Sequence, residues 1–393
     1  MALPEPTARL LTEAEDKEAP SRPPFTWAET LLFGFGGYSL YVGNILVNYG
    51  QKVKDRVFLP EKRPDIIKTY ECRPSLNVHI FYSPHHDRTA THPQPKIPLL
   101  FTIHGGGFVI GNPQDSDAWD YDFVRSDPKV PTMAVELNYR KGPVSPFPTA
   151  VYDLEALALA VLADTSLPID TEKVAVAGWS AGGNLALTLA SLPSMQGRLR
   201  AAVPFYPTVD FSIPSSQKAL HRHYKPSLKG FRGRKIDLLS YAAPVFNWSY
   251  LPKGAQAKDL VNSLLSPTYV PKSSLPSYIF IVAAELDMLS HEAWQMACKL
   301  ANRPPPSDPK TGSSEVHPPN ELILDDERFA FEERTATSSY KWLLVPDSIH
   351  GFDMTVAEMY KSDDMYPDTQ AKRKLCMDMI HEWLFSVAFK ANQ

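Results

Sequence analysis

Cysteine is scarce in this sequence, and its scarcity excludes two kinds of architecture. The 393 residues contain three cysteines, Cys72, Cys298 and Cys376, an odd number spread along the chain. This distribution argues against a disulfide framework and predicts a reducing, intracellular compartment, the cytoplasm. Because none of the three has C-x-x-C or metal-ligand spacing, we expect no metal site and interpret them as small, buried hydrophobic side chains.

Strong charge and nucleotide-binding motifs are also lacking. The net charge is −4, so nothing attracts the chain generally to nucleic acids or to anionic membranes. The sequence contains neither G-x-x-x-x-G-K nor G-x-G-x-x-G, and no internal repeat. We therefore predict no cofactor and no nucleic-acid partner. Residues 1–24 are polar and lack the apolar stretch of a secretory signal, which predicts a flexible leader.

One apolar segment lies near the start of the chain, at residues 31–49, and it is interrupted by glycines, asparagines and a serine. The segment is short for a membrane span and lacks a strong basic flank on one side. We therefore predict an N-terminal lid segment over 25–60, whose helix packs on an apolar pocket of the protein itself. Membrane association through residues 31–49 is the alternative.

From Asn77 onward, short apolar strand-like runs alternate with helical patterns, which predicts a mostly parallel, twisted sheet flanked by helices. The alternation breaks over 210–271, an aromatic stretch with seven Lys or Arg residues between 218 and 235. We interpret it as an inserted helical lid after the sixth strand, with the basic cluster as a solvated face. The two parts of the α/β core are then predicted over 61–209 and 272–393, the second part with a surface excursion over 303–337.

A strand, a sharp turn and a helix follow one another near the middle of the chain. Residues 174–177 form a buried strand-like run, 178–182 match G-x-S-x-G, and 185–191 continue as a helical pattern. This context is typical of a nucleophile elbow, where a serine stands above the sheet at the positive end of a helix. Because the pattern alone is common, its interpretation depends on the rest of the chain. Ser180 is the predicted nucleophile.

Two further polar residues, Asp287 and His350, each come just after a buried, strand-like run. The order Ser180, Asp287, His350 is that of a Ser–acid–His triad on such a sheet, where active sites form beyond the carboxyl ends of the strands. The chemistry assigns the histidine as general base and the aspartate as the group that orients it. Glu285 is the alternative acid.

The negative charge that develops on a substrate carbonyl oxygen needs preorganised donors. Gly105, Gly106 and Gly107 directly follow a strand-like run, and Ala181 directly follows the predicted nucleophile. Successive glycines let backbone N–H groups turn toward a bound oxygen. We therefore predict that the backbone N–H groups of these four residues form an oxyanion hole.

These motifs together resemble the hormone-sensitive-lipase-like family of α/β-hydrolase esterases, which carries H-G-G-G-[FW], G-D-S-A-G-G-N, an acid motif and a terminal H-G-F. The corresponding blocks here are 104–108, 178–184, 285–289 and 350–352. The resemblance implies the α/β-hydrolase fold, the same triad and oxyanion hole, and a lid built from the N-terminal segment and the insertion. It also implies that His104 orients the glycine loop rather than acting as the base.

The sequence departs from the family at Trp179, where an acidic residue usually precedes the serine, and at Lys141, within the segment that replaces the usual L-A-P-E. We expect different electrostatics around the elbow, and we interpret Trp179 as the place where this protein's own chemistry lies. Phe108, Trp179 and Phe352 adjoin the predicted catalytic residues and are our candidates for the substrate pocket.

The predicted activity is hydrolysis of a carboxylic ester through an acyl-enzyme. The aromatic lid indicates a small-molecule partner, a hydrophobic or aromatic ester or lactone. One alternative is that the same triad performs acyl transfer, lactonisation or condensation in natural-product biosynthesis. Another is a non-catalytic ligand-binding receptor, against which the presence of all three triad residues argues.

Overall fold

The computed structural model describes residues 25–87, 95–127, 130–304, 308–354 and 365–390. The predicted leader, 1–24, lies outside the described residues. The described part is built around a nine-stranded sheet. Its strands are β1 (Ile66–Thr69), β2 (Asn77–Tyr82), β3 (Ile97–Ile103), β4 (Met133–Leu137), β5 (Ile169–Trp179), β6 (Ala201–Phe205), β7 (Tyr278–Ala284), β8 (Ala330–Arg334) and β9 (Ser339–Val345).

The sheet is parallel in its centre and antiparallel at its edges, with the strand order β1-β2-β4-β3-β5-β6-β7-β9-β8. The pairs β1–β2, β2–β4 and β8–β9 are antiparallel, and the other pairs are parallel. The central strands are buried on both faces, which explains why their sequences are nearly continuous apolar runs. Their carboxyl ends all meet at one edge of the sheet, where loops from different strands can combine into a site.

Helices cover both faces of the sheet and one end of it. They are α1 (Trp27–Val57), α2 (Asp117–Phe123), α3 (Thr149–Leu162), α4 (Ala181–Ser191), α5 (Ser215–Lys218), α6 (Leu239–Tyr250), α7 (Ser290–Leu300) and α8 (Met365–Trp383), after which Leu384–Ala388 form a π-helical turn. Apolar residues of α3, α4 and α7 pack on one face of the sheet, and those of α2 and α8 on the other. The insertion follows β6, the sixth strand, and contains α5 and α6.

The long helix α1 begins at a capping box, because Thr26 Oγ1 accepts the N–H of Glu29 while the Glu29 carboxylate accepts the N–H of Thr26. It packs on α6 through its glycines. A Cβ atom on Gly37 would lie 2.2 Å from Ser249 Oγ, and one on Gly34 would lie 3.2 Å from the Trp248 ring. Only glycine allows the two helices to approach so closely.

The structure corrects two sequence interpretations outside the site. The 303–337 range includes β8, which pairs with β9 at the edge of the sheet, so this excursion adds a strand that the sequence pattern did not reveal. Cys72 is exposed, and the interpretation of all three cysteines as buried was wrong for it, whereas Cys298 and Cys376 are buried. The β8 strand lacks the long apolar run that identified the central strands, and the sequence around Cys72 gives no comparable signal of burial or exposure.

Trp179 lies in the hydrophobic core, and this burial argues against its assignment to the substrate pocket. Its side chain is 1% exposed and packs between Trp119 and Phe205, with ring centroids 5.0 Å and 5.2 Å away. Side chains alternate along a strand, so Trp179 shares the face of Ala177 that α2 and α8 cover. The family's usual acidic residue is thus replaced by a core residue.

The indole of Trp179 also connects the elbow to a later loop. Its N–H donates to Asp353 Oδ2 at 3.0 Å, and the Tyr206 hydroxyl donates to Asp353 Oδ1 at 2.6 Å. Burial raises the pKa of Asp353, whereas the hydrogen bonds from Tyr206 and Trp179 counteract this. The carboxylate therefore joins the ends of β5 and β6 to the segment that follows His350.

We predict that Trp179→Phe lowers the free energy of unfolding by about 1–3 kcal/mol more than Trp119→Phe does, because only the former leaves a buried oxygen of Asp353 without its donor. Both variants change a tryptophan of the same aromatic cluster, so the second is a control for lost packing. Urea unfolding followed by circular dichroism measures the difference. Equal losses in the two variants would contradict a stabilising role for the hydrogen bond.

Candidate active site

The backbone at Ser180 is held in a strained turn between β5 and α4. Its φ is +56° and its ψ is −114°, a region that non-glycine residues rarely occupy. A Cβ atom on Gly178 would lie 2.2 Å from the carbonyl oxygen of Gly182, and one on Gly182 would lie 2.0 Å from that of Ile103. The two glycines thus allow the turn to fold against itself and against β3. This is the geometry of a nucleophile elbow.

The three predicted triad side chains meet in one hydrogen-bonded line. His350 Nε2 lies 2.8 Å from Ser180 Oγ, and His350 Nδ1 lies 2.6 Å from Asp287 Oδ2. The Asp287 carboxylate is fully buried, so it requires a partner, and the ring N–H at Nδ1 supplies one. With that proton on Nδ1, Nε2 can accept the hydroxyl proton of Ser180. The arrangement is chemically suited to activate a serine.

The electrostatic surroundings keep His350 basic. Burial lowers the pKa of His350, but the charge and hydrogen bond of Asp287 raise it, as do the carboxylates of Asp237 and Asp353. These charges prevail, and the pKa of His350 lies above its usual value of 6.5. The imidazolium that forms when serine loses its proton is therefore stabilised by three carboxylates.

The alternative acid, Glu285, is engaged elsewhere. Its Oε2 accepts from Lys225 Nζ and from the backbone N–H of Asp347, both at 2.8 Å, and its Oε1 accepts the N–H of Ser313 at 2.9 Å. Because Asp287, and not Glu285, contacts the Nδ1 atom of His350, the geometry favours Asp287 as the orienting acid.

Lys225 is a buried cross-link that sequence analysis missed. Its ammonium group contacts Glu285 at 2.8 Å and Asp347 at 2.7 Å, and its side chain is 0% exposed. Glu285 comes two residues before Asp287, and Asp347 comes three residues before His350. The lysine therefore ties together the loops after β7 and β9, which carry the predicted acid and base. A buried charge left unpaired costs several kcal/mol, about 3–5, so the cross-link resists separation of these loops.

The basic cluster of the insertion is only partly a solvated face, which corrects the sequence interpretation. Besides Lys225, its Lys218 is buried in an ion pair with Glu292, 2.5 Å away. Arg222 is also buried, and its Nε donates to the carbonyl of Leu286 at 2.5 Å. The partners lie about 60 residues or more away along the chain, so the sequence pattern could not distinguish buried from exposed cations.

The glycine loop after β3 runs beside the elbow. A Cβ atom on Gly105 would lie 2.9 Å from the carbonyl oxygen of Trp179, and Gly106 and Gly107 have φ values of +105° and +58°. The backbone hydrogen bonds of this described loop use the Gly106 carbonyl, but not the N–H groups of Gly106 or Gly107. Ala181 is the first residue of α4, so its N–H has no acceptor within the helix. Gly105 and Ala181 therefore adjoin Ser180, and the N–H groups of Gly106, Gly107 and Ala181 have no backbone acceptor in the described chain.

Beneath this loop, His104 has the structural position that the resemblance implied. Its Nδ1 lies 2.8 Å from the carbonyl oxygen of Gly105, its Nε2 lies 3.2 Å from Lys141 Nζ, and its ring stacks on Tyr139. Burial lowers the pKa of His104 well below its usual value. Burial also lowers the pKa of Lys141 to about 7. A neutral ring can donate from Nδ1 and accept at Nε2, which holds the loop in place.

Sequence analysis also missed Asp237, which precedes α6. Its Oδ1 and Oδ2 accept the backbone N–H groups of Leu239 and Met288, at 2.9 Å and 2.8 Å. Burial raises the pKa of Asp237, and the nearby charge of Asp287 raises it further. The residue thus connects the insertion to the segment just after the predicted acid. Its only sequence signal is that it precedes a helix, where an aspartate commonly accepts backbone N–H groups.

Two cavities flank α6. One of about 230 Å³ includes His350 in its wall, with mostly apolar neighbours such as Leu239 and Ala242. The other, of about 860 Å³, lies between α1, α6 and the segments around them, and its lining includes Tyr38, Trp248 and Ala255. The smaller cavity is the candidate substrate pocket, because it alone of the two is lined by a residue of the predicted triad.

The other two candidates for the substrate pocket are buried in the protein core. Phe108 stacks on Tyr250 with a centroid separation of 3.7 Å, and Phe352 packs 6.0 Å from the Tyr206 ring. Both are at most 3% exposed, and neither belongs to the wall of the two cavities. As for Trp179, proximity to the motif in sequence predicted a pocket role, whereas the backbone directs the side chain into the core.

Comparisons with known sequences support a family assignment. The profile of the alpha/beta hydrolase fold family matches residues 100–318, more than half of the chain. An arylesterase from Saccharolobus solfataricus is 32% identical over 206 residues, which cover 51% of this chain and 61% of the relative. An ethyl acetate hydrolase from Pseudomonas putida is 34% identical over 236 residues, covering 58% and 67%. The chain thus spans about three fifths to two thirds of these curated relatives.

A solved structure agrees at the level of the fold. An esterase from Pyrobaculum calidifontis superposes with a TM-score of 0.59 at 19% identity, covering 99% of this chain and 100% of that chain. The mostly parallel, helix-flanked sheet predicted from the sequence is therefore confirmed. The chain belongs to the alpha/beta hydrolase fold family, as its resemblance to the hormone-sensitive-lipase-like esterases predicted.

Proposed function

We propose that the protein is a serine carboxylic-ester hydrolase in which Ser180 is the nucleophile, His350 the general base and Asp287 the orienting acid. The observation that carries the proposal is the hydrogen-bonded line from Ser180 Oγ through His350 to Asp287, at 2.8 Å and 2.6 Å. Esterase relatives of similar sequence support the reaction class.

The reaction proceeds in two acyl transfers. Ser180 Oγ attacks the ester carbonyl carbon while His350 Nε2 takes the hydroxyl proton of Ser180. The resulting oxyanion accepts hydrogen bonds from the backbone N–H groups of 105–107 and Ala181. His350 then gives the proton to the departing alkoxide, which leaves as the alcohol. Water, deprotonated by His350, attacks the acyl-enzyme, and the carboxylic acid is released as Ser180 regains its proton.

We propose that the substrate is a small hydrophobic ester or lactone. The cavity beside His350 has apolar walls from Phe231, Ile236, Leu238 and Ala242, which suit an acyl or aromatic group. The relatives named for arylesterase and ethyl acetate hydrolysis act on such molecules, according to their names. We further propose that α1 and the insertion over 210–271 form the lid, since α6 lies between α1 and the glycine loop.

Ser180→Ala is expected to lower kcat for p-nitrophenyl esters by a factor of about 10⁶, because no other side chain replaces the nucleophile. A panel of esters from acetate to long acyl chains measures the loss against the wild type. Undiminished hydrolysis in the variant would exclude Ser180 as the nucleophile. Labelling of wild-type Ser180 by a fluorophosphonate without turnover of any ester would favour acyl transfer over hydrolysis.

The acid limb of the pH profile should have its midpoint above pH 6.5, because the base must be neutral and the pKa of His350 is raised. Asp287→Asn should lower kcat by about 10⁴ through loss of the correct tautomer. It should also move the midpoint to lower pH, because the chief cause that raises this pKa is gone. The dependence of kcat/KM on pH, measured for both proteins, tests this. A midpoint that Asp287→Asn leaves unchanged would exclude His350 as the titrating group.

Ala242→Phe should lower the preference for long over short acyl chains by about tenfold or more, because it fills the cavity beside His350. The matched control is Ala255→Phe, which places the same ring in the larger cavity. The measurement is the octanoate-to-acetate ratio of kcat/KM. If only the control changes the ratio, the acyl group occupies the larger cavity instead.

A further inference from the structure

The helix α1 has its polar and apolar faces reversed relative to an ordinary surface helix. Most of the residues that face the protein are small or polar, among them Gly34, Gly37, Asn44 and Asn48, and only Phe33 and Tyr41 in the central part of the helix are large and half-buried. A helix on the surface of a soluble protein normally turns its apolar stripe inward and its charged residues outward. Here the stripe that contacts the protein body contains little apolar surface to bury.

Most of the large apolar side chains of α1 are instead exposed to solvent. More than half of the exposed large apolar side chains in the described chain lie between Trp27 and Leu59. They are Trp27, Leu31, Leu32, Phe35, Tyr38, Leu40, Val42, Ile45, Leu46, Val47, Tyr49, Val53, Val57, Phe58 and Leu59. A contiguous apolar surface of this kind is rare on a soluble monomer and marks a binding surface.

The charge distribution along α1 indicates what this surface binds. No Asp, Glu, Lys or Arg occurs over residues 30–51, and then the exposed Lys52, Lys54 and Arg56 follow, with the half-buried Asp55 as the one acidic residue among them. By its length and composition, α1 is also long and apolar enough to cross a membrane. An uncharged apolar face with basic residues at one end matches lipid chains bordered by anionic headgroups.

Hydrogen bonds hold α1 along the protein body. Asn44 Oδ1 accepts the backbone N–H of Gly111 at 2.9 Å, and Asn48 Oδ1 accepts from Asn112 Nδ2 at 2.5 Å. Both partners lie just beyond the glycine loop. To cross a bilayer, the helix would have to abandon these bonds and its close contact with α6. The geometry therefore fits a helix that lies in the membrane surface with its outer face in lipid.

We propose that the outer face of α1 docks this protein onto an anionic membrane surface, with the helix axis in the plane of the membrane. The alternative occupant is a second copy of the chain, which would need a negatively charged surface opposite the exposed Lys52, Lys54 and Arg56. Anionic lipid headgroups supply that negative charge. Residues 1–24 contain eight charged residues and few large apolar ones, so their composition does not complement this apolar face.

Docking at this place would bring lipid next to the candidate lid. The inner face of α1 contacts Trp248 and Ser249 of α6, and the Phe246 ring of α6 lies 2.3 Å from the position of a Cβ atom on Gly107. Tyr38 of α1 also lines the cavity of about 860 Å³. In this part of the structure α6 therefore lies between α1, which carries the proposed membrane face, and the glycine loop.

The test is co-sedimentation of the full chain with vesicles of phosphatidylcholine plus phosphatidylserine and with vesicles of phosphatidylcholine alone. Phe35→Glu/Leu46→Glu should reduce binding to both vesicles by about tenfold or more, because charge is costly within the apolar layer. The control is Ile67→Glu/Leu324→Glu, which changes two exposed apolar residues elsewhere and should bind as the wild type does. Equal binding of the two double variants would overturn the proposal.

The basic residues are tested separately. Replacing Lys52, Lys54 and Arg56 with Gln should weaken binding to the anionic vesicles on the order of a hundredfold and leave binding to the neutral vesicles unchanged. An equal loss on both vesicles would overturn the electrostatic part of the proposal. Circular dichroism and the unfolding midpoint of each variant verify that it is folded.

Two measurements distinguish the other arrangements. Protease added outside sealed vesicles should digest an N-terminal tag if α1 lies in the membrane surface, whereas a protected tag would show that the helix crosses and would overturn this geometry. Light scattering after gel filtration should give a monomer for wild type and for Phe35→Glu/Leu46→Glu. A wild-type dimer that this variant dissociates, without vesicle binding, would assign the face to a second copy.

Discussion

The close approach of α4 to β3 is the constraint on which the site depends. Gly182 lies so near the carbonyl of Ile103 that a Cβ atom there would be 2.0 Å from the oxygen. This contact, with the one between Gly178 and Gly182, holds Ser180 at a positive φ of 56°. The same approach brings the glycine loop that follows β3 beside the turn. The packing of α4 on β3 therefore positions both the proposed nucleophile and the proposed oxyanion donors. Strain at Ser180 persists because the sheet and the helix on either side are rigid.

The loops that carry the other two residues of the proposed triad are joined by buried polar groups. Lys225 bridges Glu285 and Asp347, and Asp353 accepts hydrogen bonds from Trp179 and Tyr206. Each of these contacts connects segments that follow different strands. Buried polar groups are costly when unpaired, so each satisfied contact resists displacement of its loop. The buried contacts between loops therefore help the hydroxyl, the imidazole and the carboxylate to keep their separations.

The insertion and α1 form successive layers above the glycine loop. The Phe246 ring of α6 lies against Gly107, and α1 lies against α6 through Gly34 and Gly37. The close helix contact requires glycine on α1, and this use of the inner face leaves the apolar side chains of α1 on the outside. The segment that sequence analysis predicted as a cover for an internal pocket thus contacts the protein with its smallest residues. Its composition is explained better by an external apolar partner than by the protein's own core.

Local patterns in the sequence were sufficient to predict the order of the central strands and helices, because buried parallel strands are continuous apolar runs. They were also sufficient to predict that Ser180, Asp287 and His350 lie together, because the carboxyl ends of these strands share one edge of the sheet. They were insufficient for β8, which lacks a long apolar run, and for the buried cations of the insertion, whose partners lie about 60 residues or more away along the chain. Trp179, in the elbow itself, illustrates the difference between what local sequence predicts and what contacts with distant segments decide. Its place beside Ser180 is a property of the sequence, but its direction is decided by strand alternation, and its partner Asp353 lies 174 residues away. Adjacency in sequence determined which residues share a loop; only the packing of strands and helices decided which side chains meet, because side-chain direction depends on backbone geometry that distant segments impose.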